Sequence, residues 1–114
     1  MLASNDQSFM AEIIHVSPLP SLGVGKFVVS TKIDQSNTPK VGFYLTFPNR
    51  DIWKITGIVT VGIDKEGKEI ISERHLQGLW DLVLEPVLAS NHAPICGKVE
   101  ISSHLPSSVI ENDN

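Results

Sequence analysis

Leu76-Gln77-Gly78-Leu79-Trp80-Asp81-Leu82-Val83-Leu84-Glu85-Pro86-Val87-Leu88 is the stretch on which the fold turns. Its apolar residues Leu76, Leu79, Trp80, Val83, Leu84, Val87 and Leu88 recur at i, i+3, i+4, i+7, i+8, i+11 and i+12, with Gln77, Asp81 and Glu85 on the far side. That is the stripe of an amphipathic helix, wide enough to lie on a sheet. Ser72 suits the N-cap and Glu73 the first turn, where the helix dipole favours a carboxylate. Pro86 opposes this. Inside a helix it removes a hydrogen bond and its ring meets the carbonyl of Leu82, at a cost of about 3 kcal/mol. The helix is therefore expected over about 73–85, ending near Leu84. A strand from Leu82 to Leu88 is the competing reading.

Around this segment, period-2 alternation dominates. From Trp53 to Ile63, one face carries Trp53, Ile55, Val59, Val61 and Ile63, and the other Lys54, Thr56 and Thr60, with Ile58 out of phase. This is the pattern of a half-buried strand. Asp64-Lys65-Glu66-Gly67 then supplies an Asp that can bond the following backbone and a Gly for a left-handed position, so a hairpin should return through Lys68 to about Ser72. Shorter strands are expected at Glu12–Val16, Lys26–Ile33 (Phe27, Val29, Thr31 and Ile33 inward), Val41–Phe47 (Val41, Phe43, Leu45 and Phe47 inward) and Ile95–Ile101. Pro18-Leu19-Pro20, Gly23 to Gly25, Asn37-Thr38-Pro39, Pro48 to Asp51 and Asn91 to Pro94 separate them.

Five to six strands with one helix on one face make an α+β domain with an antiparallel sheet; an all-β barrel or sandwich is the alternative. With a single helix, one sheet face would stay uncovered, and Ile13, Tyr44, Ile58 and Ile70 would point there. A homodimer pairing faces or edges follows from that picture.

The chain has 114 residues, 41% of them hydrophobic, a size and composition that fit one globular domain. Residues 1–10 and 106–114 read as loose termini, and Met10 is an alternative start to Met1. A single cysteine, Cys96, excludes an internal disulfide; with no basic, apolar leader, it points to the cytoplasm. No run approaches the roughly 18 apolar residues of a membrane helix. The net charge of −4 is spread unevenly: five basic and four acidic residues through Lys54, then four and nine. No two basic residues are adjacent, which argues against a dedicated nucleic-acid surface.

The chemistry-bearing candidates are few. His92 precedes Cys96 by four residues across Pro94, and an imidazole beside a thiol is what activates a nucleophilic cysteine. The bland alternative is a small hydrophobe packed at a strand start. His15, His75, His92 and His104 show no metal-ligand spacing, Glu73 with His75 being the only close pair. Asp81 and Glu85 would share the polar helix face. Gly23, Gly25 and Lys26 do not make a phosphate loop, whose pattern needs four residues between its glycines. Tyr44, Arg50 and Lys54 are a thin basis for stacking and holding single-stranded nucleic acid.

The expected function is a small cytoplasmic, non-enzymatic accessory or binding protein, partnered by a second copy and by an unidentified protein, without cofactor, metal or membrane. The alternative is a small enzyme or ligand-binding protein with a pocket between helix and sheet near Trp80, His92 and Cys96, with His75 also suspect and Tyr44 a further ligand contact. Single-stranded nucleic-acid binding stands third.

Overall fold

In the computed structural model the described residues are 7–18, 25–59, 61–63, 65–67, 69–71, 77–89 and 93–105. They hold eight strands: β1 (Ser8–Pro18), β2 (Phe27–Ile33), β3 (Tyr44–Thr46), β4 (Ile52–Ile58), β5 (Val61–Ile63), β6 (Glu69–Ile71), β7 (Leu79–Leu88) and β8 (Gly97–Ser102). Six close into an antiparallel barrel in the order β1-β2-β7-β4-β3-β8, and β5 with β6 forms a separate two-stranded ribbon. The described chain is all-β, and the α+β expectation is overturned.

The helix expected over 73–85 is absent from its described part. Gln77 and Gly78 form a turn and β7 begins at Leu79. Two periods coincide here. Trp80, Leu82 and Leu84 line the inside of the barrel wall, Leu82 and Leu84 fully buried, while Leu79 and Val83 lie half-buried on the other face. A strand apolar on both faces satisfies helical spacing as well as alternation. Pairing decides the matter, because β7 bonds β2 on one side and β4 on the other. Pro86 is tolerated since the β2 ladder ends at Phe27↔Leu84, leaving β7 with one neighbour at Pro86↔Trp53, beside a bulge.

Closure also removes the uncovered sheet face. The inside of the barrel is the core, filled by Ile13, Val29, Leu45, Trp53, Ile55, Leu82, Leu84, Val99 and Ile101, all at most 1% exposed. Each such side chain contributes roughly 1.5–3 kcal/mol by leaving water. Ile13 belongs to this core rather than to an open face, and Ile58 packs against it. Tyr44 stays half-buried. Phe27 meets Trp53 edge-on, centroids 5.7 Å apart and planes at 85°, the arrangement aromatic quadrupoles favour. Thr31 Oγ1 and Trp53 Nε1 are buried in this core without hydrogen-bond partners.

Bulges explain the broken phases. Between Ile55 and Gly57 the β4–β7 register shifts, which turns the out-of-phase Ile58 toward the core and leaves Val59 exposed. A second shift between Ile13 and His15 leaves Ile14 without a partner on β2, and it is exposed. Val41, expected inward, and Ile95, expected to open the last strand, are also exposed. Val41 sits in a turn closed by Phe43 N–H to Lys40 C=O at 3.0 Å, with Gly42 at φ +100°. Ile95 precedes β8. The expected hairpin at 64–67 is present: β5 and β6 pair antiparallel and Gly67 has φ +85°.

Candidate functional site

The pocket expected between helix and sheet has no helix to build it. Trp80 lies half-buried on β7 against the core, whereas Cys96 precedes β8, three strands away around the six-stranded barrel in either direction. The two stand on opposite walls. Cys96 is exposed, so it is not the packed small hydrophobe either. His75 and His92, like Glu73, lie outside the described residues, as do the termini 1–6 and 106–114; Ser8–Met10, expected loose, belong to β1. Among the described residues no His, Cys, Asp and Glu group in threes closely enough to hold a metal ion. Nor is any helix among them long and apolar enough to cross a membrane.

Tyr44 and Lys54 do come together, as direct cross-strand partners on β3 and β4. Across the next ladder, however, Lys54 faces Glu85, which is ion-paired with Lys26 at 3.4 Å. That carboxylate dilutes the positive field a phosphate backbone needs. Asp81 and Glu85 do not repel on a helix face. On β7 each has a partner from the β2 side: Ser30 Oγ donates to Asp81 Oδ1 at 2.9 Å, and Lys26 meets Glu85.

Two features remain, and only the first is marked in the sequence, by the turn residues Asp64 to Gly67. One is the β5–β6 ribbon, which among the described residues pairs with no third strand. The other is the seam where β1 meets β8. Gln7 N–H donates to Ser103 Oγ at 2.9 Å, Ser103 N–H returns a bond to Gln7 C=O at 2.9 Å, and Ser8 Oγ donates to Glu100 Oε2 at 2.6 Å. Ser103 Oγ also lies 2.8 Å from His104 Nδ1, and Ser102 Oγ donates to His104 C=O at 2.7 Å. Accepting a hydrogen bond from Gln7 N–H and lying in hydrogen-bond contact with His104 Nδ1, Ser103 works as a clasp between the strands rather than as a free nucleophile.

Next to the seam stands the loop of residues 34–43. Asp34 Oδ1 accepts Ser36 N–H at 2.9 Å and Ser36 Oγ–H at 2.7 Å, and these bonds, the backbone one foremost, hold its carboxyl below the ordinary 3.8. Asp followed by Ser two residues on is a legible turn signature, and Pro39 near its end is a second. In the sequence they mark only a separator, because nothing local shows that this loop stands over the start of β1. No family model, curated protein or solved structure matches this chain.

Proposed function

We propose that this chain is a non-enzymatic binding module of the cytoplasm that works by protein–protein pairing, first of all with a second copy of itself, through the β5–β6 ribbon. The observation that carries this is that the ribbon pairs with no third strand among the described residues. An isolated two-stranded hairpin is marginal in water, and three or more strands are normally needed for a stable sheet. Each barrel strand has two neighbouring strands, though β7 keeps only one beyond Leu84, where Pro86 lacks an N–H. Each ribbon strand has a single described neighbour throughout, so the ribbon is the element best suited to offer a ladder to an incoming strand. Val61, Ile63, Ile70 and Ile71 give it strong β character with no Pro to blunt an edge. Antiparallel pairing about a two-fold axis would set Gly62 against Gly62 of the second copy, or Ile70 against Ile70, a self-complementary match. The cytoplasmic assignment rests on the lone exposed Cys96.

Sedimentation equilibrium tests the reading directly. The wild-type chain should weigh as a dimer at micromolar concentration, and Ile70→Lys, which places a charge on the ribbon, should shift it to monomer while leaving the barrel's circular dichroism unchanged. A monomer at every accessible concentration, or a dimer indifferent to Ile70→Lys and to Val61→Lys, would refute it.

A further inference from the structure

A cleft of about 570 Å³ opens at one end of the barrel between the start of β1 and the loop of residues 34–43. Neither the sequence candidates nor the ribbon touches it. Its volume falls in the range of small-molecule sites.

Both walls are fixed before any ligand arrives. On the β1 side, the backbone of Gln7 is bonded in both directions to Ser103. On the loop side, Asn37 N–H donates to Asp34 C=O at 2.9 Å, the Asp34–Ser36 bonds tighten the same turn, and Pro39 is fully buried as an anchor. A site built this way loses little freedom on binding.

The lining then selects the ligand. Gln7 and Asn37 use only backbone groups in these bonds, so each brings a carboxamide with two donors and an acceptor that no described residue engages. Thr38 adds a hydroxyl, and Phe9, half-buried against the core, adds an aromatic surface. Lys40 is the one charged side chain on the lining. One cation is too few for a nucleotide's phosphates, which call for several donors and positive charges. An apolar ligand would strand both carboxamides without partners. What satisfies all these groups together is a molecule with an apolar C–H face for Phe9 and a rim of hydroxyls that donate and accept. A pyranose ring has that form.

We propose that this cleft is a saccharide site that takes short neutral oligosaccharides, with one ring against Phe9 and neighbouring hydroxyls on the carboxamides of Gln7 and Asn37. The proposal is independent of the ribbon, since no residue is shared.

Saturation-transfer NMR on the full chain tests it, with maltotriose, cellotriose and chitotriose each titrated through about 1 mM, a range in which weak saccharide binding registers. At least one should give saturable transfer, strongest for the protons of a single ring. Asn37→Ala, on an exposed turn where the fold does not use the carboxamide, should weaken binding about tenfold, and Phe9→Leu should do the same while keeping an apolar group against the core. Absence of saturable transfer from all three sugars overturns the proposal. So does unchanged affinity in Asn37→Ala, or binding of ATP or hexanoate in the sugars' place.

Discussion

Gly78→Ala is expected to be among the most damaging single-methyl additions in this chain, and its cost can be worked from two independent causes. Gly78 has φ +83°, a left-handed conformation that costs an L-residue about 1–2 kcal/mol. A Cβ at this position would also lie 2.7 Å from the carbonyl oxygen of Ile33. That atom is backbone and cannot swing aside. Ile33 N–H donates to Gly78 C=O at 2.7 Å, so separating the two strands stretches the bond that joins them. Its loss adds about 1 kcal/mol, for a total of roughly 2–3 kcal/mol. Gly67 provides the control, with φ +85° and nothing within 4 Å of the place a methyl would take, so Gly67→Ala should lose only the conformational part. In urea the Gly78 variant should unfold about 1–2 M earlier than wild type, with an unchanged m-value. Equal midpoints for the two variants would refute the close approach, and a Gly78→Ala loss below about 0.5 kcal/mol would refute both causes.

Thr31→Val replaces a hydroxyl that is fully buried without a partner by a methyl of the same shape, and should raise stability by about 1 kcal/mol in urea titration. Arg50 adopts φ +74° in the β3–β4 turn, so Arg50→Gly should be neutral or stabilising by about 0.5 kcal/mol, against the usual sign for a glycine substitution. Since the folded pKa of Asp34 lies below 3.8, its contribution to stability is present above that pH and is lost as the pH falls through the lowered folded value. Ser36→Ala removes the smaller of its two bonds, so the Asp34 midpoint followed by carbon-detected NMR should rise part of the way toward 3.8. Cys96 should react with a thiol reagent in the native protein without unfolding; a thiol masked until the unfolding transition would contradict its exposure.

Much of the wall of the barrel is legible as alternation: Phe27, Val29, Thr31 and Ile33 face inward as their spacing requires, and Asp64 to Gly67 marks a real hairpin. Ile58 is the informative exception. A residue out of phase in a strong alternation is what a bulge leaves in the sequence, and bulges are the bends by which a sheet curls toward closure. In the segment first quoted, Gly78 and Pro86 both count against a helix, one by conformational entropy and the other by its missing N–H. Apolar spacing outweighs them in a reading of sequence alone, because it cannot distinguish a strand buried on both faces from a helix lying on a sheet. The cleft is illegible for another reason. Gln7 and Asn37 are ordinary polar residues of a terminus and a turn, some thirty positions apart, and only the antiparallel pairing of β1 with β2, continued past Ala11↔Ile33, sets them across one gap.

The seam between β1 and β8 also bears on how the chain reaches this state. It joins Gln7 to Ser103, 96 positions away, so the first barrel strand waits for the last before its second edge is covered. Assembly governed by so distant a pairing belongs to the slow end of single-domain folding, on the order of milliseconds to seconds. During synthesis at about 5–20 residues per second, β1 spends several seconds with that edge bare. Glu12 on β1, set between Lys32 and Lys98 in the register of the finished barrel, puts a charge on that edge while it is bare, and charges on an edge strand disfavour pairing with wrong strands.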